Sequence, residues 1–202
     1  MVIHTIGDSH ASNQHSGWKD CSNICSHWLG PVLCHSFARD TFNGSTNVNL
    51  FSFGVRPGDA VVFCFGEIDC RCHVHKHITA EKSYQSIIDE LVTNYFKAIQ
   101  QHCQHHQNVT VCIYSVPPTI EKLVTDENSA FPFLGTDAER QAYVKYFNEK
   151  IAEKCQEYQY IFFDVFQQYV DEKGFLNRAY SDASVHIQNG CFLQEFINKN
   201  LR

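Results

Sequence analysis

Apolar residues in this chain follow two rhythms that alternate along its length. Short runs rich in Val, Ile and Phe occupy residues 2–6, 60–65, 109–114 and 160–163. Each is too short for a helix and apolar at consecutive positions, the pattern of strands buried on both faces. Residues 23–29 offer one more candidate strand. Between the runs the period lengthens. Tyr84, Ile87, Ile88, Leu91, Val92, Tyr95, Phe96 and Ile99 recur at helical spacing and predict a helix over about 79–104, with Thr79 as its cap and Glu81 in its first turn. A second helix is predicted from Thr136, where Glu139 completes a capping box; Tyr143, Tyr146, Phe147, Ile151 and Cys155 form its apolar face. A third, through Phe192, Leu193, Phe196 and Ile197, closes the chain.

Strands alternating with helices imply an α/β protein whose parallel sheet is covered on both faces. The expected architecture is a three-layer α/β/α sandwich, flavodoxin-like, with about five strands. No linker, repeat or low-complexity tract divides the sequence, so residues 1–202 read as a single domain.

Composition narrows the function classes. A net charge of −6 argues against a nucleic-acid or anionic-membrane surface, and no apolar run approaches the roughly 18 residues of a membrane span. The first residues already read as a core strand rather than a signal segment. Ten cysteines are then expected to be reduced thiols, with Cys64, Cys112 and Cys155 on apolar positions. The expected compartment is the cytoplasm.

In a parallel sheet the binding crevice lies beyond the carboxyl ends of the strands. Ser9 follows the first run in Ile6-Gly7-Asp8-Ser9-His10, and Gly66-Glu67-Ile68-Asp69 follows the run at 60–65. Far along the chain, Ser181-Asp182-Ala183-Ser184-Val185-His186 supplies an imidazole and a carboxylate. A serine hydroxyl becomes a nucleophile when an imidazole takes its proton, and a carboxylate fixes the tautomer of that imidazole. Ser9 is thus the candidate nucleophile, His186 the base and Asp182 the orienting acid. Asp8 is expected to hold the turn. The Ser9 and Gly30 amides are candidate oxyanion donors. The Gly-x-Ser-x-Gly elbow of the α/β-hydrolases is absent.

These segments resemble the blocks of the GDSL/SGNH hydrolase superfamily. Gly7-Asp8-Ser9 is similar to its first block, Gly30 in Trp28-Leu29-Gly30-Pro31 to its second, Gly66-Glu67-Ile68-Asp69 to its third, and Asp182 with His186 to its last. The blocks span residues 7–186. The resemblance implies a serine esterase or O-acyltransferase acting on a small-molecule or glycan ester, with acetyl on a carbohydrate as the leading expectation. It implies no cofactor, no metal, no nucleic acid and no membrane partner. Around the triad, Gly30, Gly66, Asp69, Arg71 and His10 are the candidates for oxyanion and substrate binding.

Two departures stand out. The third block usually carries an Asn that donates to the oxyanion, and Ile68 stands there instead; losing one such donor costs about 10²–10³ in rate. Arg71 and His10 are the side chains available to replace it. The last block usually reads Asp-x-x-His, whereas Asp182 and His186 are four apart. Either a bulged loop absorbs the extra residue, or a carbonyl or another carboxylate such as Asp164 orients the histidine.

Two other readings compete. With its oxyanion hole degraded at Ile68, the same scaffold would serve as a ligand- or carbohydrate-binding module. Alternatively, residues 70–77, Cys-Arg-Cys-His-Val-His-Lys-His, hold zinc-type ligands. Read as an extended segment, that run splits its thiols and imidazoles between opposite faces, with Cys21 and Cys25 as distant partners. The histidines at 102, 105 and 106 are expected to be solvated.

Overall fold

The computed structural model describes residues 1–122 and 130–201. Five strands form one sheet: β1 (Ile3–Gly7), β2 (Ile24–Trp28), β3 (Ala60–Cys64), β4 (Thr110–Tyr114) and β5 (Ile161–Phe163). They run in the order β2-β1-β3-β4-β5, and all four pairings are parallel. The sequence-predicted strands are all present, including the one within 23–29.

Burial on both faces explains the continuous apolar runs. Ile6, Val61, Phe63, Val111 and Ile113 point into one core with helices α1 (Cys34–Phe42), α3 (Tyr84–Cys103) and α4 (Asp137–Tyr158). Ile3, Val62, Cys64, Cys112 and Phe163 point into the other with Trp18 and helix α6 (Cys191–Asn200). Two one-turn helices, α2 (Val74–Lys76) and α5 (Phe166–Tyr169), complete the set. The architecture is the expected three-layer sandwich.

The helix boundaries carry corrections. α3 starts at Tyr84 under a Ser83 cap, because Thr79 folds into a local turn with Glu81 and Lys82 instead. α4 begins as predicted, with the Thr136–Glu139 capping box formed in both directions. Residues 70–77 are helical, not extended: a π-helical turn over Asp69–His73 runs into α2. Residues 125–135 also read from sequence as an exposed loop, and 123–129 lie outside the described residues.

The chain steps from β1 out to β2 and returns to β3 on the other side of β1, so the crossovers diverge at the ends of β1 and β3. A crevice at this switch point is the general ligand site of open parallel sheets. Close strand approach shapes it. A Cβ on Gly7 would lie 1.9 Å from the Cys64 carbonyl oxygen, which accepts a hydrogen bond from the Asp8 amide at 3.2 Å. Only glycine lets the chain leave β1 here.

Candidate active site

Ser9 opens a short 3-10 turn directly after β1. Asp8 caps that turn, its Oδ1 accepting from the His10 amide at 2.9 Å. Asp8 is fully buried, and burial drives its carboxyl well above the ordinary carboxylate range. It is therefore part of the frame rather than a base facing substrate. Neither the Ser9 nor the Gly30 amide donates to another group among the described residues.

The turn from β1 and the loop before α6 bring the expected triad together. His186 Nε2 lies 2.8 Å from Ser9 Oγ, and His186 Nδ1 lies 2.6 Å from Asp182 Oδ2. Asp182 Oδ1 accepts from the Ser184 and His186 amides at 2.8 and 3.2 Å. Burial pushes the Asp182 carboxyl up, but the bonds from His186 and these amides outweigh it and hold the group below its ordinary value.

The four-residue spacing is accommodated by a bulged loop. Ala183 takes the left-handed conformation with φ of 65°, and an antiparallel bridge between Ser181 and Ile187 pinches the loop shut. Asp164, the alternative acid, accepts from the Phe166 amide on an exposed turn and makes no contact with His186. The loop is docked by the Gly17 amide on the Ile187 carbonyl at 2.7 Å, where Gly17 and Gly190 approach too closely for any side chain.

The third block turns out to be structural in large part. Gly66 has φ of 114°, and a Cβ there would strike Phe147 and Val116 at 2.8–2.9 Å. Asp69 does not face substrate, which corrects the expectation from sequence. Wholly buried, it accepts from the Cys34 and His35 amides at 2.7 and 3.2 Å and so caps α1 from a distant part of the chain. Burial raises its carboxyl to about 7 despite those bonds.

Arg71 is likewise not free to clamp an anion. Its guanidinium grips the Glu67 carboxylate at 2.8 and 3.1 Å, donates to the Phe131 carbonyl at 2.6 Å and lies over the Phe133 ring. Burial opposes ionisation of Glu67, yet Arg71 and His10 bring its carboxyl down to about 2. His10 is buried beside this pair, with Nε2 3.9 Å from Glu67 Oε2 and its ring 5.0 Å from that of His186. Its Nε2 has no hydrogen-bond partner, and burial lowers its basicity. Ile68, 3% exposed, offers no donor.

Two residues at the site were not singled out from sequence. His15 lies 6.1 Å from the His186 ring and packs edge-on against Trp28 at 4.8 Å, and Trp28 is 48% exposed. An exposed Trp two residues before Gly30 was the available signal. Surface hollows of about 360–650 Å³ open on several faces, one of them lined in part by Trp28 and Leu29.

The Cys70–His77 segment gathers no three-ligand cluster; the one such cluster among the described residues lies elsewhere, on β1 and β2. His102 is half-buried against Phe37 and 2.9 Å from the Thr41 hydroxyl rather than solvated. All ten cysteines are free thiols. No helix among the described residues is long and apolar enough to cross a membrane.

No known family profile matches the chain. No curated protein sequence matches it either. Solved structures do. A GDSL-like lipase from Bacteroides thetaiotaomicron superposes with a TM-score of 0.64 at 15% identity, covering 98% of this chain and 85% of that one. An extracellular lipase from Streptomyces rimosus gives 0.59 at 12%, covering 98% and 99%. A phospholipase A1 from Streptomyces albidoflavus gives 0.55 at 11%, covering 98% of each chain. The five-stranded parallel sandwich, its ordered blocks and these superpositions along nearly the whole length agree: the chain has the GDSL/SGNH hydrolase fold.

Proposed function

We propose that this protein is a serine hydrolase or acyltransferase acting on short acyl esters. One observation carries the reading: the hydrogen-bonded line Ser9 Oγ, His186 Nε2, His186 Nδ1, Asp182 Oδ2, at 2.8 and 2.6 Å. Ser9 Oγ attacks the ester carbonyl while His186 Nε2 takes its proton. Asp182 keeps the other imidazole nitrogen protonated and supports the imidazolium. His186 then hands the proton to the leaving alcohol, giving an acyl-Ser9 intermediate. Water, or a sugar hydroxyl in the transfer variant, attacks that intermediate with His186 again as base.

In this reading the oxyanion is held by the Ser9 and Gly30 amides. Without an Asn in the third block, turnover is expected about 10²–10³ below that of a hydrolase with a third donor. Arg71 is already engaged by Glu67, which leaves His10, with its unpartnered Nε2, as the candidate replacement. The exposed Trp28 ring, with His15 packed edge-on against it, offers an aromatic platform suited to a sugar face. The absent donor at Ile68 favours one second reading, a non-catalytic glycan-binding module.

Intact mass after fluorophosphonate treatment separates the two. A single adduct on wild type, missing from Ser9→Ala and from His186→Ala, is the expected outcome. No adduct on wild type, together with glycan binding that survives Ser9→Ala, would replace the hydrolase reading with the binding one.

A further inference from the structure

One face of the sheet's edge brings together three metal-ligating side chains that the triad does not use. His4 on β1 pairs in register with Cys25 on β2, and Ile6 pairs with His27. Because side chains alternate along a strand, His4, Cys25 and His27 all project from the same face. One ligand atom from each lies within 4.8 Å of the others. Such a set, one thiol and two imidazoles, suits zinc and its neighbours among the divalent transition metals.

The surroundings of His4 decide which of its two nitrogens is left for a metal. His4 is 3% exposed, and its buried Nε2 has no hydrogen-bond partner. That nitrogen faces Asp59 Oδ2 at 3.5 Å. Asp59 is fixed in turn by the Val2 and Arg56 amides at 2.8 and 3.0 Å. A carboxylate behind one imidazole nitrogen orients the other toward a metal, the usual arrangement of histidine ligands. His4 Nδ1 is the nitrogen left, and it lies 3.0 Å from His27 Nε2. Zn–N bonds of about 2.0–2.1 Å in a tetrahedron require these nitrogens to be about 3.3 Å apart, which a small rotation of His27 provides. His27 is half-buried. Phe53 stacks on it at 4.2 Å and shields one side, while Cys25 and His27 remain partly open as a route of entry.

We infer that His4, Cys25 and His27 form a binding site for one zinc-type divalent cation, with Asp59 as the carboxylate behind His4 and water as the fourth ligand. Binding forms two metal–nitrogen bonds and one metal–sulfur bond. The Cys25 thiol gives up its proton to solvent, and the His27 proton moves from Nε2 to Nδ1. The ion clamps edge strand β2 onto β1, ahead of Trp28 and Gly30. The site is independent of the proposed ester chemistry.

The test uses the full chain, stripped with a chelator and titrated with Co²⁺. We expect uptake of one equivalent with a near-ultraviolet thiolate-to-cobalt charge-transfer band, displaced by Zn²⁺. Cys25→Ser should lose the band with an unchanged circular dichroism spectrum. The exposed Cys191→Ser should retain it, and Asp59→Asn should weaken affinity about 10–100-fold. If Cys25→Ser does not fold, His27→Asn on the open side of the site carries the same expectation of lost stoichiometric binding. Absence of stoichiometric uptake by wild type, or a band that persists in Cys25→Ser, overturns the assignment.

Discussion

Glu67 acts as framework in the fold, on the same strand end as the substrate-contact candidates Asp69 and Arg71. Its carboxylate is 9% exposed as a side chain and bidentately held by Arg71. The folded value of about 2 lies below the ordinary 4.5, so the unfolded chain binds the proton more readily. Stability from this group is therefore present above about pH 4.5 and lost as pH falls towards 2. The shift corresponds to about 3 kcal/mol. Glu67→Gln should lower unfolding free energy by about that amount at pH 7, with the gap to wild type narrowing below about pH 4.5 in denaturant titrations. A constant gap across pH would remove the electrostatic account. By contrast, Ser9, Asp182 and His186, which the fold brings within hydrogen-bonding distance, could be picked out as a candidate set, because the proposed chemistry needs those residue types. Arg71 and Asp69 were not legible as framework, since their partners, Phe131 and the α1 amides, lie about 60 and 35 residues away in sequence.

At the scale of elements, what sequence missed is what distant residues supply. α1 went unpredicted because its own cap position is Leu33, which has no capping side chain; Asp69 does that work from the turn after β3. Removing it with Asp69→Ala leaves two amides unsatisfied and should cost about 2–3 kcal/mol, read as a lower melting temperature, while the fluorophosphonate adduct on Ser9 persists. The 70–77 segment misled for a different reason. Its alternating Cys and His residues mimic a strand, whereas the structure continues the Asp69 turn as helix. The loop that carries Asp182 depends on Ala183 in a left-handed conformation that costs an L-residue about 1 kcal/mol. Ala183→Gly should keep labelling by the fluorophosphonate and hold or slightly raise stability. Ala183→Val, whose branched side chain cannot adopt that conformation cheaply, should displace Asp182 and slow labelling at least tenfold. Equal labelling in both variants would show that the bulge does not set the triad.

At the scale of the whole molecule, the fold class was the most legible property, because burial on both faces forces runs of Val, Ile and Phe that no surface strand would carry. The order β2-β1-β3-β4-β5, which the structure supplies, then places the Ser9 turn and the segment after β3 side by side. The shape of the crevice was not legible, since it depends on how loops from three parts of the chain close over the sheet. That shape governs substrate choice. Binding energy raises turnover only where it is realised at the transition state, and a long acyl chain gains nothing from a site that does not enclose it. On the short-acyl reading, each added methylene should contribute far less than the roughly 0.8 kcal/mol of full burial. We therefore expect kcat/KM for p-nitrophenyl acetate to equal or exceed that for the octanoate. Trp28→Ala should raise KM for an acetylated sugar several-fold with little change in kcat, because the ring offers a platform away from the reacting atoms. A strong preference for octanoate would instead mean that the crevice closes around a chain when one arrives, and the short-acyl reading would give way to a lipolytic one.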